Sequence, residues 1–159
     1  MAPARFITDT SLELLARRLR MLGYDVATVP GACLDELFAA ARREGRTVLT
    51  LSDRRPKRFT DVAALRMPRG DPAAAVRTLA AGHEPASPPF SRCPGCNVAL
   101  QPRTPMEAAG EVPGRVLRSS PRLTYCPHCG KWYWEGSHVA RLRKWLEQAL
   151  RRPLPGGAG

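Results

Sequence analysis

Two cysteine pairs, Cys93-Pro94-Gly95-Cys96 and Cys126-Pro127-His128-Cys129, carry the clearest chemistry in this chain. A CxxC knuckle turns its second thiolate back toward the first, so two knuckles can enclose one tetrahedral ion with sulfur about 2.3 Å away. Residues 97–125 between the pairs are enough to span a ribbon carrying a β-hairpin. The spacing predicts a structural zinc site built by Cys93, Cys96, Cys126 and Cys129. Two disulfides or two redox pairs fit less well, because the fifth cysteine, Cys33, stands apart in the sequence. Residues 1–20 lack a secretory pattern, and no apolar run is long enough to span a bilayer. A cytoplasmic, reducing setting without membrane attachment is therefore the expectation.

The second chemistry is acidic. Asp9 follows the apolar run Arg5-Phe6-Ile7-Thr8, and Asp53 follows Thr47-Val48-Leu49-Thr50-Leu51 closely. Two carboxylates at neighbouring strand ends, with a third from a helix start, would hold Mg2+ or Mn2+ through oxygen ligands. Such an ion can activate water and stabilise in-line attack on phosphorus. Asp35 and Glu36 both qualify as the third acid, and periodicity does not choose between them. A plainer role competes for each strand-end Asp, since this residue type commonly caps the helix that follows.

The elements that must position these groups read as β-α-β-α-β. After the first strand, Thr10 to Glu13 has the T-x-x-E form of a capping box, and Leu12, Leu15, Leu19 and Leu22 recur at helical spacing up to Gly23. A second strand is expected over residues 24–29, a second helix over 34–44, and a third strand over 47–51. Residues 62–65 offer a fourth strand. Asp71-Pro72 then opens a helix reaching to about Ala81. This order implies an α/β fold with a mainly parallel sheet, whose ligands gather at the carboxyl ends of the strands. Pro85, Pro88 and Pro89 mark residues 84–92 as a linker, residues 93–138 as the zinc unit, and residues 139–152 as an amphipathic helix. Residues 153–159 read as a disordered tail.

Charge points to the partner. The chain of 159 residues holds 25 basic and 14 acidic residues, a formal net charge of +11. Residues 1–90 contain 14 basic and 10 acidic side chains, while the shorter remainder contains 11 and 4, so the cysteine-bearing part is the more basic. Only Lys57, Lys131 and Lys144 are lysine, and arginine suits bidentate phosphate contacts. RNA is the expected partner. The basic run Arg54-Arg55-Pro56-Lys57-Arg58 could grip phosphate, and Lys131, Trp132, Tyr133, Trp134 and His138 could bind and stack unpaired bases. The competing role for the aromatics is to anchor the small ribbon against the larger unit. A protein partner for these aromatics and the last helix is a further expectation.

Several stretches together resemble one family. Phe6-Ile7-Thr8-Asp9, Leu15-Ala16-Arg17-Arg18-Leu19-Arg20-Met21-Leu22-Gly23-Tyr24-Asp25, Asp35-Glu36-Leu37 and Arg42-Arg43-Glu44-Gly45-Arg46-Thr47-Val48-Leu49-Thr50 are similar to the Mut-seven C-terminal (Mut7-C) RNase domain, a branch of the PIN-like nucleases. Both CxxC knuckles and Lys131-Trp132-Tyr133-Trp134-Glu135-Gly136-Ser137-His138 resemble that family's ribbon. The resemblance runs from about Phe6 to Trp145. It implies a PIN-like three-layer α/β/α sandwich over residues 1–83, fused to a zinc ribbon. It also implies a ribonuclease whose Mg2+ or Mn2+ is bound by Asp9, Asp53 and an acid of the second helix. Two features depart from the family pattern. Its Thr-x-Asp is Thr50-Leu51-Ser52-Asp53 here, and a basic run stands where a further carboxylate is common. A non-catalytic RNA-binding or ribonucleoprotein-docking module with a degenerate pocket is the alternative expectation.

Overall fold

The structure, a computed structural model, describes residues 2–31, 33–120 and 122–156. Its first half runs β1 (Arg5–Asp9), α1 (Glu13–Met21), β2 (Asp25–Val29), α2 (Leu34–Glu44), β3 (Thr47–Thr50), β4 (Ala64–Arg66) and α3 (Pro72–Gly82). The second half runs β5 (Gln101–Arg103), α4 (Pro105–Ala108), α5 (Gly114–Ser119), β6 (Leu123–Tyr125), β7 (Trp132–Trp134) and α6 (Ser137–Leu150).

Strands β1 to β4 pair in parallel in the order β2-β1-β3-β4. Successive residues of a strand point to opposite faces, and both faces here are apolar. Phe6 and Leu49 join Leu15, Leu19, Val76, Leu79 and Leu146 on one side. Ile7 and Val48 join Leu37, Phe38, Phe59 and Val62 on the other. Helices α1, α3 and α6 thus cover one face and α2 covers the other, which gives the three-layer α/β/α sandwich. The fourth strand lies slightly later than its pattern suggests, because Val62 is consumed by the core beneath α2. Thr8, buried near the end of β1, donates its hydroxyl to the Leu49 carbonyl at 2.9 Å and ties β1 to β3.

The expected capping box at Thr10 to Glu13 does not form. Asp9 caps instead, accepting from the Ser11 amide at 2.8 Å at the start of a 3-10 turn, Thr10–Leu12, that leads into α1. Glu13 has stronger partners, because its carboxylate accepts from the Thr28 hydroxyl at 2.7 Å and pairs with Arg20 at 3.1 Å.

Residues 84–92 are docked onto the larger unit. Ser87 and Phe90 donate their amides to the Gly23 and Met21 carbonyls at 3.1 and 2.7 Å. Gly23 makes this approach possible: its φ is +98°, and a Cβ there would sit 1.9 Å from the Ser87 carbonyl oxygen. The end of the chain is also packed as far as it is described. Leu154 is buried in the first core, and its amide donates to Glu147 at 3.0 Å, so residues 153–156 are ordered where a loose tail is expected. Residues 157–159, the remainder of that expected tail, lie outside the described residues.

The ribbon is a three-stranded antiparallel sheet, β5-β6-β7, with α4 and α5 inserted between its first two strands. Its core consists of Ala108, Val112, Val116 and Leu123, with Trp132 and Trp134 packed against them. Four small side chains bury too little area to hold such a unit unaided, which is the usual situation of metal-held modules.

Two residues clamp the ribbon to the sandwich. The Arg20 guanidinium is buried and makes four hydrogen bonds: to the carbonyls of Val26 (2.8 Å) and Pro94 (2.7 Å), to Glu13 (3.1 Å) and to the Thr28 hydroxyl (2.7 Å). Full partnering of this kind is what makes a buried charge tolerable. Asn97 supplies the second clamp, described with the cysteines below.

Candidate functional site

The four paired cysteines converge. The sulfur atoms of Cys93, Cys96, Cys126 and Cys129 all lie within 4.8 Å of one another, with Cys93 and Cys129 at 3.9 Å. A tetrahedral zinc-thiolate centre has sulfur edges of about 3.8 Å, so the donor set fits a metal such as zinc. Among the described residues this is the one group of three or more His, Cys, Asp or Glu side chains arranged to hold an ion.

The knuckles are built alike. In the first, the Asn97 amide donates to the Cys93 carbonyl at 2.9 Å and the Cys93 amide to Val98 at 2.8 Å. In the second, Gly130 donates to Cys126 at 2.9 Å and Cys126 to Lys131 at 2.9 Å. Each turn needs a left-handed residue four positions after its first cysteine; Gly130 has φ +75°, and Asn97 tolerates φ +64°. The Tyr133 hydroxyl lies 3.4 Å from Cys93 Sγ, placed to donate to a thiolate. Burial opposes the Cys93 thiolate, yet hydrogen bonds from Tyr133 and from the Cys96 and Gly95 amides pull that thiol down to about 7. Burial and neighbouring thiols push Cys96 up to about 12 and also raise Cys126. A divalent ion held by the four sulfurs would favour all of them as thiolates.

Asn97 projects from the first knuckle to the free edge of the large sheet. Its side chain accepts from the Val26 amide at 3.0 Å and donates to Asp25 at 2.7 Å. Asp25 also binds Arg46 at 2.7 Å. Burial acts to raise the Asp25 carboxyl, but hydrogen bonds from Arg46 and Asn97 and the charges of Arg46 and Arg92 hold it below its ordinary value.

The acidic candidates occupy the carboxyl end of the parallel sheet. Asp9 closes β1, Asp53 follows β3, and Asp35 and Glu36 lie in the first turn of α2. These acids do not converge on one point in this arrangement. Asp35 pairs with Arg58 at 2.7 Å, Asp53 pairs with Arg66 at 2.9 Å, and Asp9 accepts from Ser11. Glu36 accepts from the Cys33 amide at 3.1 Å and so serves its own helix. The donor type suits Mg2+ or Mn2+, and the competing ion pairs are exposed at both partners, where such pairs contribute about 0–1 kcal/mol. Arg66 is a participant that spacing could not reveal, since only parallel pairing of β3 with β4 brings it opposite Thr50.

A cleft of about 280 Å³ is lined by Cys33, Leu34, Asp35, Arg54, Arg55 and Pro56. Asp35 faces this cleft. Arg55 is steadied by the Ala64 carbonyl at 3.0 Å, while Lys57 and Arg58 lie on the exposed turn that follows. The ribbon residues are placed differently. Lys131 and His138 are exposed, whereas Trp132 and Trp134 are half-buried against the ribbon's own core, and the Trp132 indole donates to Glu111. The two tryptophans therefore anchor the ribbon's own sheet to its helical insertion, not the ribbon to the sandwich.

The family model described as Mut7-C RNAse domain matches residues 4–146. No curated protein and no solved structure matches the chain. Among the described residues no helix is long and apolar enough to cross a membrane.

Proposed function

The chain belongs to the Mut7-C RNAse domain family, and from that premise we propose that it is a metal-dependent ribonuclease hydrolysing RNA phosphodiester bonds. The family match across both units carries this reading. What supports the chemistry is that Asp9, Asp35 and Asp53 lie at the same end of the sheet, Asp35 lining a cleft walled by Arg54 and Arg55. Asp9, Asp53 and Asp35, or Glu36 in place of Asp35, would hold Mg2+ or Mn2+. When bound, the ion would activate a water and stabilise charge on the phosphoryl oxygens.

The protein's own groups do the rest. Arg54 and Arg55 draw a phosphate into the cleft. Arg58 and Arg66 neutralise Asp35 and Asp53 in the substrate-free state. Substrate phosphate offers these guanidinium groups a better partner, which frees the carboxylates for metal. The ribbon, which zinc on its four cysteines would brace and which Arg20 and Asn97 clamp to the sandwich, presents its basic surface to the same RNA. A cytoplasmic setting agrees with four reduced thiolates.

The alternative is an RNA-binding or ribonucleoprotein-docking module whose pocket no longer turns over; the displaced Thr50 and the basic run after Asp53 favour it. Incubating labelled RNA with the protein and Mn2+ separates the two. Cleavage that disappears in Asp9→Asn with zinc retained supports the nuclease. Salt-sensitive binding without cleavage supports the module.

A further inference from the structure

Helix α6 carries a basic stripe that neither the acidic site nor the ribbon sheet uses. At 3.6 residues per turn, Arg141 and Lys144 lie side by side off the buried face, which carries Leu146 and Ala149, and Trp145 stands at the border between the two, with His138 one turn toward the helix start. Arg141 and Lys144 are exposed, and Trp145 is half-buried at the margin of the core. The stripe meets α1 there, because the Arg18 guanidinium lies over the Trp145 ring, 3.9 Å from its centroid. None of the ion pairs among the described residues uses Arg18, Arg141 or Lys144. Arg18 over the Trp145 ring and Arg141 and Lys144 beside it along α6 are thus without ion-pair partners among the described residues.

We infer that this α6–α1 stripe is a docking surface for single-stranded RNA, separate from the cleft at the sheet end. The inference rests on the ribonuclease reading for the identity of the polyanion. Its chemistry is specific to unpaired nucleic acid: cations spaced along a helix face track phosphates, while a guanidinium stacked on an indole extends a π-surface on which a base can lie. A duplex would hide its bases from that platform. The stripe lies on the helix that directly follows the ribbon strands and meets the last turn of α1, where Arg18 stands, so it is separate from the Asp9 end of that helix.

The test measures binding of a labelled single-stranded oligoribonucleotide, by anisotropy over a range of salt, to the full chain and to Arg141→Glu and Lys144→Glu. Arg43→Glu is the control, since Arg43 is exposed on α2 across the sheet and makes the same change in net charge. Each stripe variant is expected to weaken binding about tenfold and to lower the salt slope by roughly 0.7, the value for one single-strand phosphate contact. The control is expected to change binding by less than about twofold on the same argument. Equal weakening in all three variants, or none in the stripe variants, overturns the inference. So does lost binding to anionic vesicles with RNA binding unchanged. Cleavage is read in parallel: unaltered binding with intact cleavage refutes the stripe alone, and weakened binding in a protein that never cleaves refutes the nuclease alone.

Discussion

The side-chain oxygen of Asn97 accepts the backbone amide of Val26 at 3.0 Å, joining the first cysteine knuckle to the edge strand of the parallel sheet. Arg20 takes the Val26 carbonyl on the same edge. Both main-chain groups of Val26 are therefore closed by side chains, one from the sandwich and one from the knuckle. An open strand edge invites pairing with other chains, and this edge is covered in part by the first cysteine knuckle.

Replacing Asn97 with Ala should leave the Val26 amide without its partner and cost about 1–3 kcal/mol. Asn97→Gly, which relieves any left-handed strain, should cost a similar amount because the amide is still lost. Urea unfolding and hydrogen exchange at Val26 check this. Wild-type exchange at Val26 in both variants would show that the contact does not matter.

Chelating the metal should loosen that same edge. One zinc per chain is expected, and stripping it, or making Cys96→Ser, should raise exchange at Val26 while β1 and β3 stay protected. Metal analysis and exchange mass spectrometry read the two effects. Equal protection of β2 with and without zinc would separate the knuckle from the sheet.

Asp25 should mark the acid limb of stability. Its carboxyl is held below the ordinary value of 3.8, so its contribution is complete above that pH and is lost as pH falls through the lower folded-state value. Asp25→Asn should be less stable than wild type at neutral pH and should lose less on acidification below about pH 4. Thermal melts from pH 7 to pH 2.5 check the sign, and parallel acid limbs would contradict it.

Much of this architecture is legible in the sequence. Phe6-Ile7 and Val48-Leu49 announce strands buried on both faces, and the cysteine spacing announces the metal centre before any fold is known. The clamps are not legible, because Arg20 reads as one more helical arginine until the Pro94 carbonyl is brought to it across 74 residues of chain. Asp9 and Glu13 show a different limit. The T-x-x-E pattern is local, yet Glu13 is taken by Thr28 and Arg20, and local patterns lose to buried tertiary partners. The pairing of Asp53 with Arg66 was hidden for the same reason, since strand order is not written in either residue.

Gly23→Ala should damage folding more than any other glycine replacement tested. Both the positive φ and the 1.9 Å approach of the Ser87 carbonyl oppose a Cβ, and a loss of about 2 kcal/mol or more is expected. Gly70→Ala is a useful comparison, as it shares a positive φ of +68° but has open space around it. Equal losses in the two would assign the effect to backbone strain alone.

The measurement that bears most directly on the account is cleavage of labelled single-stranded and structured RNA in Mn2+ or Mg2+ by wild type, Asp9→Asn and Asp53→Asn, each verified to retain zinc. Wild type is expected to cleave, and both variants to lose at least about a hundredfold of that activity with RNA binding retained. Cleavage undiminished in the variants would place the chemistry elsewhere, and binding without cleavage in all three would make the protein an RNA-docking module.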